Sequence, residues 1–228
     1  MSVELRQVRE VKQVRFKGPG SVKIRQTDKE ESLTVHAPAY VIRHIVSSVE
    51  DGILNLGYVS PQVFSLKVLK EVISYDLKLK QLDALSVSGS GRVLVPDLDV
   101  DKLALSLSGS GKIQFEHMTA DLLSVNGSGS GSIIVQGDVE TQRVNLSGSG
   151  DYQALRLVSD ICHINLTGSG GASVLVHDEM IVRLSGSGDI RYKGYPDIQQ
   201  QITGTGRVKR IRRPVDKGFN HPSGEDRA

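Results

Sequence analysis

A serine between two glycines is the core of a nucleophile elbow, and this 228-residue chain repeats that pattern at Gly89-Ser90-Gly91, Gly109-Ser110-Gly111, Gly127-Ser128-Gly129, Gly148-Ser149-Gly150, Gly168-Ser169-Gly170 and Gly186-Ser187-Gly188, closing with Gly204-Thr205-Gly206. An elbow needs one strand-to-helix turn with partner Asp and His residues, so a serine that recurs at every copy argues against it. Phosphate-binding glycine loops need a following helix and lysine, whereas Lys112-Ile113-Gln114-Phe115 reads as a strand. Asp97, Asp101, Asp121, Asp138, Asp160, Asp178 and Asp197 fall close to once per copy and could form a column of metal-binding carboxylates. The favoured reading is that they are turn residues bonding nearby backbone N–H groups. His36, His44, His117, His163, His177 and His221 make no cluster of metal-ligand spacing. Cys162 stands alone and is read as a small buried apolar residue. The chain is accordingly expected to have no catalytic residue, no metal and no cofactor.

The elements that carry these motifs follow from side-chain parity. In a strand, successive side chains point to opposite faces. Leu105, Leu107, Gly109, Gly111, Ile113 and Phe115 share one parity, and Ser106, Ser108, Ser110, Lys112 and Gln114 the other. The same alternation runs through Val14, Phe16, Gly18, Gly20, Val22 and Ile24, so Gly18-Pro19-Gly20 counts as an early copy. First glycines are 20, 18, 21, 20, 18 and 18 residues apart from Gly89 onward. That spacing is too short for a strand plus a crossover helix, which takes about 30 residues. It fits a coil with one repeat per turn, each strand stacking about 4.8 Å above its equivalent. The fold class is therefore an all-β, single-stranded parallel β-helix of 18 to 21 residues per turn. The third copy is expected to hold a two-residue insertion. All the glycines are expected to face inward, where a larger side chain would meet the opposite wall or resist the bend.

On the outward parity, Ser88, Ser108, Asn126, Ser147, Thr167, Ser185 and Thr203 are expected to stack as a ladder, as are the residues at 90, 110, 128, 149, 169, 187 and 205. Cross-strand hydroxyl pairs contribute about 0.2 to 1 kcal/mol each, so the ladders are read first as architecture. The ladder from Ser88 to Thr203 is also the candidate binding surface.

Residues 1–213 read as one β-helix domain, with degenerate turns and a cap over 1–80 and regular turns over 81–213. Three or so turns are expected between the first copy and Gly89. Tyr40 to His44 could form one helical turn, and 214–228 reads as a disordered tail of Pro, Gly and charge. Arg207, Lys209, Arg210, Arg212 and Arg213 suit a charged final edge; without interleaved aromatics they do not make a nucleic-acid site. The 28 basic and 26 acidic residues give a net charge of +2, too weak a field to imply nucleic acid. No stretch approaches the roughly 20 apolar residues of a membrane span, and Met1 to Glu10 has no apolar run like a leader.

Several stretches together resemble the bacterial head GIN domain family, described as heads of autotransporter adhesins. They are the run from Ser86 to Val95, Ser185-Gly186-Ser187-Gly188-Asp189-Ile190-Arg191-Tyr192-Lys193-Gly194-Tyr195-Pro196, Gly204-Thr205-Gly206-Arg207-Val208, and Val49-Glu50-Asp51-Gly52-Ile53-Leu54. The likeness covers about residues 10 to 211. It implies a right-handed coil in a cell-envelope or extracellular protein; the missing leader leaves the cytoplasm open. The expected function is a non-enzymatic, adhesin-like binding domain whose partner is a surface component, a glycan or a protein. The alternatives are a scaffold that self-associates like bactofilins, as a homo-oligomer, and a polysaccharide-processing enzyme.

Overall fold

The computed structural model describes residues 1–58 and 73–211. Within them the chain is a parallel β-helix. The repeating part consists of β8 (Ala84–Gly89), β9 (Arg92–Gly109), β10 (Lys112–Gly129), β11 (Ser132–Gly148), β12 (Asp151–Gly168), β13 (Gly171–Gly186), β14 (Asp189–Lys193), β15 (Asp197–Gly204) and β16 (Arg207–Arg210). Each strand pairs in parallel with its equivalent in the next turn.

The long strands wrap more than one wall, and burial shows how. In β10, Ile113 and Phe115 are buried, then Met118 and Ala120, then Leu123 and Val125. The parity reverses twice because two consecutive unburied residues, Glu116-His117 and Asp121-Leu122, occupy the corners. Each turn thus has three walls and a third corner at the Gly-Ser-Gly motif.

At that corner the two glycines do different work. Gly109 has φ 105°, which carries the chain around the bend at a conformation L side chains avoid. Gly111 is blocked by packing: a Cβ there would lie 2.6 Å from the carbonyl oxygen of Gly91 in the preceding turn. The obstacle is the turn below, where the opposite wall was expected. Gly109 is also exposed while Gly111 is buried, so only the second of this pair fits the expected inward position. Corner carbonyls are satisfied from turn to turn, as in Ser110 N–H to Gly89 O at 3.0 Å and Lys112 N–H to Gly91 O at 2.9 Å.

The register corrects the third copy. Gly129 pairs with Gly109 and with Gly148, so the corner is Gly129-Ser130-Gly131. Gly127 lies within the strand beside Leu107 and Leu146. No two-residue insertion exists there; the chain simply repeats Gly-Ser once before the bend.

The N-terminal part is wound differently. β2 (Gln13–Lys17) and β3 (Ser21–Gln26) form a regular turn, but β2 pairs with both β8 and β6 (Ile53–Tyr58), and β3 with both β9 and β7 (Ser74–Leu79). The Gly18 copy therefore stacks directly on the Gly89 copy, with Gly18 N–H bonded to Ser88 O at 3.1 Å, and among the described residues the region between them adds one parallel level, β6 and β7, in place of the three or so turns expected. The later strands β6 and β7 lie on its far side. Beyond them the pairing turns antiparallel: β5 (Ile45–Glu50) on β6, β4 (Ser32–Ala37) on β7, and β1 (Ser2–Gln7) on β4. A short helix, α1 (Ala39–Ile42), links β4 to β5 where a helical turn is expected. Phe16 and Tyr75 fill this end edge to face, with ring centroids 5.6 Å apart.

The candidate surface and its relatives

The wall that leads into the glycine corner carries the candidate ladder. Its outermost column runs Ser88, Ser108, Ser128, Ser147, Thr167, Ser185 and Thr203. Asn126 is not in it. Because the third corner lies at Gly129, Asn126 falls two residues earlier on the strand, in the column of Ser106, Asn145 and Asn165. There it gains partners: Asn145 Nδ2 donates to Asn126 Oδ1 at 3.2 Å and Asn165 Nδ2 to Asn145 Oδ1 at 2.9 Å. In the corner column Ser130 takes the place expected for Ser128, and Thr205 donates to Ser187 at 3.1 Å.

Two columns thus form one field. From Ser86 and Ser88 to Asn165 and Thr167 it crosses five turns without a charge, and Arg15 and Lys17 bound it at one end and Arg183 at the other. Neighbours are about 4.8 Å apart along the axis and about 6.6 Å along the strand. Among the described residues, the seven hydroxyls of the outer column make no side-chain hydrogen bond within the protein. Their donors and acceptors face outward, unspent. Inward of the field the wall rests on Leu105, Leu107, Val125, Val144, Ile164 and Leu166, all buried.

Of the periodic aspartates, Asp97 pairs with His117, Asp138 with Thr119, and Asp197 with Glu179, so these three stand in different columns, whereas Asp101, Asp121 and Asp160 share one corner with Glu140 in the turn between the last two. Among the described residues no group of three or more His, Cys, Asp or Glu could hold a metal ion. Cys162 is fully buried and burial pushes its thiol well above the usual range, the opposite of an activated nucleophile. Sequence reasoning missed one polar network inside the coil. Tyr152 Oη donates to Gln142 Oε1 at 2.9 Å, Gln142 Nε2 to Ser159 Oγ at 2.7 Å, and Ser159 Oγ to Leu175 O at 3.1 Å. The signal available in sequence was Gln142 and Ser159 at apolar positions of their repeats.

Residues 11–196 match the family described as "Putative auto-transporter adhesin, head GIN domain". The chain belongs to that family. A crystal structure of a "putative adhesin" from Bacteroides fragilis superposes with a TM-score of 0.85 at 21% identity, covering 92% of this chain and 96% of that one. A "putative lipid binding protein" from Parabacteroides distasonis gives 0.72 at 24%, and a "putative adhesin" from Parabacteroides merdae 0.71 at 20%, each over the same shares of the two chains. At these identities the likeness shows the shared β-helix alone. No curated protein matches the sequence. The family and the adhesin-named neighbours are described as adhesins, not enzymes, and among the described residues no helix is long and apolar enough to cross a membrane.

Proposed function

We propose that this head GIN domain is a non-enzymatic, adhesin-like binding module of the cell surface or envelope, and that the serine and asparagine field is its contact surface. The observation that carries the reading is the uncharged field itself. Outward hydroxyl and amide groups sit at fixed spacing across five turns, and each strand is pinned to both neighbours. A rigid wall of this kind presents hydrogen-bonding groups without an ordering cost on contact, which is how preorganisation raises affinity. The family's description as an adhesin head supports the surface location.

The test is adhesion of the purified domain to bacterial and epithelial cell surfaces, with Ser108→Lys, Ser128→Lys and Ser147→Lys combined in one variant. Loss of adhesion at unchanged thermal midpoint supports the field as the contact surface; equal adhesion by the variant removes it. Self-association is the second reading, favoured by the outer edge of β15, which among the described residues pairs only with β13 and reads Asp-Ile-Gln-Gln-Gln-Ile-Thr-Gly without a lysine or arginine to blunt it. Light scattering across a hundredfold concentration range separates the two, since a scaffold grows with concentration and a monomeric module does not.

A further inference from the structure

The register shifts at the corner that ends the wall after the glycine bend, between Phe115 and Met118, between Ile134 and Gln136, and most strongly between Ala154 and Val158. In β12 one residue is extra against β11 between Ala154 and Arg156, and three are extra against β13 between Ala154 and Val158. Leu155 and Arg156 form the corner there, as Glu116 and His117 do in β10; Arg156 pairs with Gln136 of β11, and neither residue pairs with β13. Immediately beside this corner the outward columns lose height. Along one column stand Ser132, Asp151, Gly171 and Asp189, and along the next Ile134, Gln153, Ser173 and Arg191. The turn at Gly171 and Ser173 is thus a floor between two taller turns, with walls about 9.6 Å apart at the usual strand spacing and the Leu155-Arg156 corner at one end.

The result is an open trough of about 620 Å³, within the size range of sites for small organic ligands. Its lining is balanced. Asp151 and Asp189 offer carboxylates, Arg156 and Arg191 guanidinium groups, Gln136 and Gln153 amides that both donate and accept, and Ile134 and Leu155 an apolar strip. One oxygen of Asp151 accepts from Gly171 N–H at 3.1 Å, which fixes that carboxylate at the rim and leaves its second oxygen available. The similar-sized groove near Gln26 differs, because Gln26 is consumed in bridging Lys80 O and Asp99. An anionic ligand would meet two carboxylates here and a cation two guanidinium groups. A neutral ligand rich in hydroxyls uses both sets, with its C–H face on Ile134 and Leu155.

From this geometry we infer that the trough floored by Gly171 and Ser173 binds a neutral sugar unit of a polysaccharide. The inference rests on the binding-module reading, but not on the serine and asparagine field, which lies on a different wall. Gly171 allows a clean test. Its Cβ would meet only Asp151 Oδ1 at 3.0 Å, a movable side-chain atom, and Asp189 O at 3.5 Å. Other turns hold Lys112 and Arg92 in the same column, so Gly171→Lys fills the trough with a residue the coil already accommodates.

The experiment measures binding of the full chain to dextran, mannan and galactan, and to the anionic polygalacturonate and heparin, for the wild type, Gly171→Lys, Arg191→Ala and the triple lysine variant of the field. Cell adhesion is scored in parallel. The expected result is wild-type binding to at least one neutral polysaccharide. Gly171→Lys should weaken it at least tenfold at a thermal midpoint within a few degrees, Arg191→Ala severalfold, and the field variant not at all. Neutral binding unchanged in Gly171→Lys overturns the inference, as does binding confined to the anionic polymers. Wild-type adhesion to cells without binding to any neutral polymer also overturns it while sparing the binding module; absence of both ends the two together.

Discussion

The regular turns from Gly89 onward and the N-terminal turns around Phe16 use the same strands, yet they are held by different means. In the regular turns, chain order equals stacking order, the core is mostly aliphatic, and the corner is a column of glycines whose carbonyls bond the next turn. Around Phe16 a turn made early in the chain is sandwiched between strands from later residues, and aromatic packing with antiparallel strands closes the end. The lesson is that repetition enforces close backbone contact at the corners, whereas an end has to be filled and covered.

The largest test of that contrast is Phe16→Ala. It removes a fully buried ring that packs on Tyr75, and truncations of this kind cost about 3 to 5 kcal/mol. Urea denaturation followed by circular dichroism should show the loss; if the regular turns hold together alone, the transition splits into two. Next is a pair of glycines. Gly111→Ala sets a methyl 2.6 Å from Gly91 O, while Gly57→Ala sets one 3.2 Å from Lys17 O. The first should cost several times as much as the second, about 3 kcal/mol against about 1. Equal costs would mean that the corner is no tighter than the N-terminal turns.

Tyr152→Phe is intermediate. It leaves Gln142 Oε1 without its donor inside the core, at about 1 to 3 kcal/mol. The buried thiol and phenol also set a pH limit. Burial raises Cys162 and Tyr152 above their unfolded values, so both contribute stability that is complete below the unfolded pKa and is lost as pH rises above it. The midpoint of urea unfolding should hold up to about pH 8 and fall beyond about pH 9, with Cys162→Ala flattening the first part of the fall. The smallest effect is Asn145→Ala. It removes two exposed side-chain hydrogen bonds of the ladder and should change stability by less than about 0.5 kcal/mol; a larger loss would make the ladder structural.

Parity made the coil legible in sequence, because Ile113, Phe115, Leu105 and Leu107 alternate with Lys112, Gln114, Ser106 and Ser108, and only a strand uses that period. It could not choose between Gly127 and Gly129. In Gly-Ser-Gly-Ser-Gly either glycine preserves every parity, and inter-turn hydrogen bonds select the second. That ambiguity moved Asn126 from one column to the next. The stacking order near Phe16 was hidden for another reason: nothing local to Val14 or Phe16 records that Leu54 and Leu56 pair on one side and Leu85 and Val87 on the other. The trough was hidden too, since it depends on the register that sets Gly171 between Asp151 and Asp189 and Ser173 between Gln153 and Arg191. The hydroxyl column was readable at positions 88, 108, 147, 167, 185 and 203 but not at 128.

The sandwiched turn also sets an order of events for a chain emerging from a ribosome. Strands β2 and β3 come out early but gain their two neighbours only after residues 53–58 and 74–95 have followed. Each later turn needs only the one before it, about 20 residues back. The slow step is thus the closing of the first three levels, with its large sequence separations and high contact order, after which the coil can lengthen at the pace of synthesis.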